Sequence, residues 1–583
     1  MKTTKKSHGS STQRSNLYWL IMGFVVFFLF IAPFQRALFN GSSNFFEGSI
    51  YQAVFWSALA LLMVAMHFYW HWKLENMRDL LSILIWLIPL SFLVSVIGAA
   101  STHLALNEVY IRFVWVVFFL IGAYFAGVEK GKRTILYAIM GSGYMLVIFG
   151  FMNWFGNADL QDAILAGNRL SNVFQYPNAY AAYLIGLLLG SLILIQTSKS
   201  RYIQLAAAVM LVPVILSFLL TLSRGALLIF PVVVIVYLLF IPWIQQVASL
   251  ISMGLAGLGS LALFSVMTKF RTRLDEQFQL IESLKGWVLL LAVSALVGTA
   301  IFFIQRWVNT RPESRKVSIS GFSWKSCIIP LIIIAACAGL YFLLVHNSFI
   351  QSQLPAEIRL RLENLNSESS NAFTRNTFYH DAMRIVKDYP FFGVGGGGWS
   401  VIYEAYKSYP YTSREAHNFF VQYLVESGII GFLVLSVFLL FILLRYIMDF
   451  VRSRNYDQRS LLFMIFPLSI LLHSALDFDM SFVYLSALVF LCIGCIASNL
   501  TEKIKFNIKY EKSIPISVFV ISLAFMAAGG AQWLGHDYFN RAVAEITKNG
   551  NYQTVDKLLD KAIRISHGHP DYVLTKANLL LNL

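Results

Sequence analysis

The chain has 583 residues, of which 57% are hydrophobic and only 13% charged, and its formal net charge is +15. Soluble globular chains sit near about 45–50% apolar and about 25% charged, so this composition excludes a water-soluble fold. The Lys and Arg residues fall in short clusters between apolar runs, the signature of the positive-inside rule, which argues against nucleic acid as the partner.

Residues 1–16 are polar and basic, with Lys2, Lys5, Lys6 and Arg14, and are expected to form a cytoplasmic tail. Leu17–Phe34 follows as a hydrophobic run with no small-x-small cleavage site behind it, which reads as an uncleaved first helix. Apolar stretches then recur at 51–71, 80–100, 110–128, 134–154, 178–196, 202–222, 225–244, 247–267, 287–305, 326–345, 418–444, 461–476, 480–498 and 514–533. About 20 apolar residues cross a bilayer as a helix, so the expected fold is an all-α polytopic membrane protein of about 14–15 transmembrane helices. The least marked breaks are the Pro242 turn and the Asp477/Asp479 turn.

With the N-terminus inside, alternate loops collect the positive charge: Lys73 and Arg78; Lys130, Lys132 and Arg133; Lys199 and Arg201; Arg306, Arg311, Arg315, Lys316 and Lys325; Arg445, Arg452, Arg454 and Arg459; Lys503, Lys505, Lys509 and Lys512. Only the Pro242 turn lacks a positive charge. The loops 155–177, 268–286 and 346–417 then fall outside. The chain divides into a cytoplasmic tail (1–16), a first block of spans (17–345), a large extracytoplasmic loop (346–417), a second block of spans (418–534) and a C-terminal segment (535–583).

Long structured loops are usually functional. Within 346–417, Thr374–Lys387 reads as a helix with Phe378, Met383 and Ile385 among its apolar positions, and Pro390 ends it. The glycine run Gly393–Gly398 follows, then Tyr403, Tyr406, Tyr409 and Tyr411, and His417 stands where the next span begins. In the C-terminal segment, Tyr538–Lys548 and Gln553–Ser566 read as two helices, and Asp571–Leu583 starts a third. This pattern looks like a tetratricopeptide-type hairpin with the start of its neighbour. Such repeats need about three copies to bury a continuous core, so either the array is truncated or this piece packs on something else. It is expected outside.

Cys327, Cys337, Cys492 and Cys495 all lie in apolar runs, and Cys492-Ile-Gly-Cys495 reads as packing rather than a redox motif, which needs exposed thiolates. Four places carry candidate chemistry. Arg224, at the junction of two spans in Thr221-Leu-Ser-Arg-Gly, is costly at a membrane boundary unless paired, snorkelling or functional. Arg375 opens the loop helix and is either simply solvated or functional. The glycine run lacks a G-K-[ST] ending and is no P-loop; it marks close approach of a backbone or ligand, and its N–H groups suit an anion. His417 is a plausible proton acceptor. Asn418, Gln422 and Glu426 follow at i, i+4 and i+8, a polar stripe that either lines a cavity or forms an interhelical hydrogen-bond ladder. No metal-ligand spacing such as H-E-x-x-H occurs, and no cofactor is implied.

The stretch from Arg375 to Gly431 resembles the signature region of the O-antigen ligase and Wzy-type polymerase family. The elements that carry the likeness are Arg375, Pro390, Gly393-Val394-Gly395, His417-Asn418, Gln422, Glu426 and Gly428, together with Ser223-Arg224-Gly225 and Arg169 through Pro177-Asn178. The resemblance implies a metal-independent, inverting glycosyltransferase of a bacterial cytoplasmic membrane, fed by an undecaprenyl-diphosphate-linked glycan. Its acceptor would be a second lipid-linked glycan, a protein or a wall polymer. It implies catalytic roles for His417, Arg224 and Arg375, and substrate contacts for Arg169, Asn178, Ser223, Gly393, Gly395, Asn418, Gln422 and Glu426. The helical tail is then a candidate site for a protein partner. A transporter would show inverted repeats and midplane charges, of which few are seen. A mere membrane anchor for the helical repeats would not need Arg224, Arg375 and His417.

Overall fold

The computed structural model describes residues 16–41, 44–311, 324–346, 370–452, 457–505, 511–548 and 550–581. The expected Arg454, Arg315, Lys316 and Lys509 positions, and the first part of the 346–417 loop, lie outside the described residues. In chain order the helices are α1 (Asn16–Ile31), α2 (Asn44–His71), α3 (Met77–Leu84), α4 (Leu87–Ser95), α5 (Thr102–Phe125), α6 (Glu129–Trp154), α7 (Pro177–Thr197), α8 (Arg201–Thr221), α9 (Arg224–Leu239) and α10 (Trp243–Glu276). They continue as α11 (Leu280–Thr310), α12 (Ile328–His346), α13 (Ser370–Asp388), α14 (Gly398–Tyr406), α15 (Phe419–Arg452), α16 (Leu461–Ser474), α17 (Val483–Ala497), α18 (Ser513–Thr547), α19 (Tyr552–Ile565) and α20 (Pro570–Leu581).

Among the described residues, eleven segments are long and apolar enough to cross a membrane. The predicted spans 225–244, 326–345, 461–476 and 480–498 are also helical, as α9, α12, α16 and α17, but α9, α16 and α17 are only 14–16 residues long. The protein is an all-α polytopic membrane protein.

Burial sorts the helices into a centre and a rim. In α7, 94% of the apolar window is buried, and in α5 83%, whereas in α11 and α18 the figure is 22%. Every residue of α17 is buried. The α5–α17 contact is close because Gly122 and Gly494 face each other, and a Cβ on either would strike the partner's backbone. Rim helices expose Leu, Ile and Phe, as a lipid-facing surface should.

The predicted basic loops gather at one end of the bundle. Lys132 pairs with Asp457 (2.9 Å), Arg459 with Glu129 (2.7 Å), and Asn76 bridges to Lys503. At the other end, one expected loop is shorter than predicted, and the other has the predicted length. Residues 268–286 reduce to the break Gln277–Gln279, because α10 and α11 extend past the apolar run, held by Arg273–Glu282 and Lys285–Glu282 pairs. The 155–177 loop holds a two-residue hairpin, Ile164–Leu165 against Arg169–Leu170.

The loop helix α13 buries Phe378, Ala382 and Ile385 against Val394, Trp399, Tyr403 and Ala416, a small core separate from the main one. Met383, expected among the apolar positions, points outward. The helix α15 is broken at Gly428 (φ 65°, ψ −174°), and the freed amides of Ile429 and Ile430 donate to the carbonyls of Pro390 and Phe391. Only glycine adopts that conformation without strain and leaves room for the neighbouring chain. Past the apolar run, α18 continues unbroken into the tail, where Phe539, Val555, Leu559 and Tyr572 form a second small core.

Candidate active site

The centre of the polar end is Asp477, in the turn between α16 and α17. Its side chain is 2% exposed and gathers donors from three parts of the chain. Asn178 Nδ2 donates to Oδ2 (2.8 Å), the Tyr176 hydroxyl reaches both oxygens (3.0 and 2.9 Å), and the Arg375 guanidinium lies at 3.5 Å. His417 Nδ1 lies 3.1 Å from Oδ1. Burial alone would raise the Asp477 carboxyl. The His417 hydrogen bond, with the charges of His417, His473 and Arg375, instead holds it below the usual carboxylate range. An ionised Asp477 orients the imidazole: Nδ1 carries the proton toward the carboxylate and Nε2 keeps a free lone pair.

His417 itself sits at φ 51°, a left-handed conformation that costs a non-glycine residue free energy and recurs at functional sites. The surroundings enforce it. The Tyr379 hydroxyl donates to the His417 carbonyl (3.1 Å), Phe419 N–H donates to the Asp477 carbonyl (3.1 Å), and Phe378 and Phe478 pack on the ring. Asn418 caps α15, its Oδ1 accepting from Phe420 and Val421 N–H (3.0 and 3.1 Å). The imidazole remains 28% exposed and Arg375 33% exposed, so both reach solvent from a buried anchor.

The network continues through Asn178. Arg169 donates to Asn178 Oδ1 (3.3 Å) and to the carbonyl of Thr221 (3.1 Å). Thr221 closes α8, Leu222 takes φ 51°, and the Ser223 hydroxyl accepts from Ala226 N–H to cap α9. Arg224 is the first residue of α9, half-buried, and among the described residues it has no hydrogen-bond or ion-pair partner. Beside it, Gly225 faces Nε2 of His473, whose Nδ1 lies 2.6 Å from Asp479.

The stretch 278–436 bears a second observation beyond geometry. It matches the protein-family model described as O-antigen ligase. The chain carries an O-antigen ligase domain. No curated protein matches the chain. The ligase domain includes Arg375, the glycine run, His417, Asn418, Gln422 and Glu426; Arg169, Asn178, Ser223, Arg224 and Asp477 come from outside the matched stretch. It brings a glycan ligase or polymerase type of role, with a lipid-linked glycan donor and a glycan acceptor, and the apolar helices fit a multi-pass protein of a bacterial inner membrane.

Not all the predicted ligase residues meet at Asp477. Gln422 accepts from Ala416 N–H (3.0 Å) and donates to Glu426 (3.1 Å). These two line a neighbouring narrow cleft with Glu108, Glu415, Asn40 and Ser481. There Arg112 pairs with Glu108 at 2.6 Å, Asn40 donates to Glu108, and Ser481 donates to Glu415 (3.2 Å). Glu415 is pushed up to about 8, by burial first and then by Glu108 and Asp477. The glycine run is filled by the protein's own chain: Val394 N–H donates to the Val425 carbonyl (3.0 Å), and a Cβ on Gly393 would overlap the backbone at 425–426. Loop tyrosines are engaged within the loop: Tyr403 is buried, Tyr406 donates to Asp388 (2.8 Å) and Tyr411 to Asp381 (3.0 Å).

Asp477 was not among the residues singled out by sequence, although a signal existed. Two acids in an otherwise apolar stretch from 461 to 498 are expensive at membrane depth and therefore candidates for function. Glu108 and Arg112 inside α5 carried the same signal.

Proposed function

We propose that this chain transfers or polymerises glycan from an undecaprenyl-diphosphate-linked donor at the outer face of the cytoplasmic membrane. The observation that carries the reading is His417, anchored through Nδ1 to a buried, ionised Asp477 and open at its other face, with Arg375 on the same carboxylate; Arg224, at the start of α9, has no hydrogen-bond or ion-pair partner among the described residues. The basic loops at the opposite end of the bundle support a cytoplasmic N-terminus and an outward-facing site.

In this reading His417 Nε2 takes the proton of an acceptor hydroxyl. The hydroxyl oxygen bonds to the anomeric carbon of the donor sugar, and the bond from that carbon to the diphosphate breaks, its electron pair leaving with the phosphate oxygen. A single displacement of this kind inverts the anomeric centre. Arg224 and Arg375 neutralise the charge growing on the diphosphate, which guanidinium suits through bidentate contacts. Asp477 fixes the imidazole tautomer, as the carboxylate does in other His–Asp arrangements. Arg169 and Asn178 position Asp477 and the α8–α9 junction. Ser223 and Asn418 hold helix ends, and Gly393 and Gly395 shape the turn that docks on α15. Gln422 and Glu426, in the adjoining cleft, are suited to acceptor hydroxyls.

A protein or wall-polymer acceptor is the second reading. It is favoured by the helical tail α19–α20, tetratricopeptide-like in pattern, which meets the outer ends of α2 and α5 beside that cleft and could bind such a partner.

The test is transfer in reconstituted membranes supplied with purified lipid-linked repeat units. Wild type is expected to lengthen the lipid-linked glycan, and Arg224→Ala or Arg375→Ala to lose about 10²–10³-fold in rate. Transfer to an added protein or wall acceptor, with no lengthening, selects the second reading. Equal rates in wild type and both variants would overturn the assignment of the arginines.

A further inference from the structure

The helical tail is joined to the membrane bundle by three side chains far apart in sequence. Glu47 lies in the first turn of α2, His103 in the first turn of α5, and His569 in the turn before α20. His103 Nε2 lies 3.0 Å from Glu47 Oε1, and His569 Nε2 lies 2.8 Å from Glu47 Oε2. One ligating atom from each residue can be chosen so that all three lie within 4.8 Å of one another. Four ligands about 2.0–2.1 Å from a tetrahedral zinc stand roughly 3.3 Å apart, so the cluster has the right span. Glu47 and His569 are buried, and His103 keeps one edge toward solvent.

The outer contacts also fit. Asn107 Nδ2 donates to Glu47 Oε1 (3.1 Å) and the Tyr51 hydroxyl is 3.3 Å from Oε2, fixing the carboxylate. His569 Nδ1 is buried without a hydrogen bond, 3.8 Å from Asp571 Oδ2. If the cluster were only hydrogen-bonded, each Nε2 would have to bear a proton toward Glu47. A neutral His569 would then bury a bare Nδ1 lone pair beside the Asp571 carboxylate. With a cation among the three residues, Nε2 becomes a ligand and Nδ1 carries its proton on the side of Asp571, whose carboxylate at 3.8 Å need move by less than about 1 Å to complete a carboxylate–histidine–metal arrangement.

We propose that Glu47, His103 and His569 form a binding site for a divalent transition metal, Zn²⁺ by its two-imidazole, one-carboxylate donor set. The fourth position is left to water at the exposed edge of His103. The metal clamps the tail to the outer end of the bundle, at the wall of the cleft that Glu47 and Asn107 help to line. The site is separate from His417 and stands independently of the transfer chemistry.

The experiment uses the full chain purified in detergent on a histidine-free tag, stripped with chelator and titrated with Zn²⁺. Bound metal is counted by mass spectrometry, and tail cleavage is followed by limited proteolysis. Wild type is expected to hold one Zn²⁺ per chain. His569→Gln and His103→Gln, which keep a hydrogen-bond donor but are poor ligands, are expected to lose it, and Asp571→Asn to weaken it about 10-fold. Chelation should expose the tail to protease, and Zn²⁺ but not Mg²⁺ should restore protection. If His569→Gln folds poorly, His103→Gln, which leaves the tail sequence intact, decides by metal count. Equal metal in wild type and both glutamine variants, or tail protection indifferent to chelator, would overturn the site and leave a hydrogen-bonded latch.

Discussion

Two histidine–aspartate pairs flank one short turn, and they are built for different ends. His473 and Asp479 lie 2.6 Å apart with side chains 1% and 0% exposed, and the far nitrogen of His473 meets Gly225. His417 and Asp477 lie 3.1 Å apart, with the imidazole 28% exposed and the Arg375 guanidinium on the same carboxylate. The two carboxyls are driven in opposite directions. Burial, reinforced by Asp477, lifts Asp479 above its ordinary range, while the His417 contact outweighs burial and lowers Asp477. Hydrogen bonding fixes ring orientation in both pairs. Access and nearby positive charge distinguish a ring that can take a proton from a substrate from one that ties α16 to its turn and to α9.

The comparison is most sharply broken at the carboxylates. Asp477→Asn should cut transfer per folded molecule by about 10²–10⁴-fold, since the imidazole loses its orienting charge, and should also lower the melting midpoint, since a buried, paired carboxylate is lost; transfer assays alongside a thermal melt check both parts. Asp479→Asn should act on stability alone, costing about 3–5 kcal/mol because a buried pair is broken and reducing activity only through loss of folded protein. Gly428→Ala tests how the loop is held against α15. The new Cβ would overlap the backbone at Phe391–Phe392 in a left-handed conformation, and a loss of about 1–3 kcal/mol together with protease sensitivity near residue 390 is expected.

Glu415 sharpens the comparison through pH. It ionises near pH 4.5 in the unfolded chain and near 8 in the folded one. The folded state therefore holds the extra proton between those values, and stability falls as pH rises through that window by up to about 1.4 kcal/mol per unit. Glu415→Gln should flatten this slope in melts taken from pH 5 to 8; an unchanged slope would place the titration elsewhere. The smallest effect is expected at Asn418→Ala, about 1 kcal/mol from the lost helix cap, read as a lower melting midpoint with transfer largely retained.

Much of this was legible in the sequence because it rests on local patterns. Apolar runs gave the helices, and the lysines and arginines gave loops that meet at one end. The glycine run signalled a close approach, which turned out to be the backbone of α15 at Gly393, and Ala99 and α5 at Gly395 to Gly397. The Arg224, Arg375 and His417 elements were found individually from polar residues next to apolar runs, and Arg169–Asn178 from the family resemblance. What joins them was not legible. Asp477 binds residues 299 and 102 positions away in sequence, and no periodicity encodes such a contact. Gln422 and Glu426 were readable as a polar stripe, but their turning toward Glu108 and Glu415 depends on how α5 packs against α15. The pairing of Glu47 and His103 with His569 has a sequence separation of 522 for the latter contact and no local signature at all.

The most direct test compares His417→Ala with His473→Ala in one preparation, measuring glycan transfer per folded molecule from a purified lipid-linked donor. The account expects His417→Ala to lose about 10²–10⁴-fold with an unchanged melting midpoint, and His473→Ala to lower the midpoint while its remaining folded molecules transfer at close to the wild-type rate. Full activity per folded molecule in His417→Ala, or loss confined to His473→Ala, would contradict it.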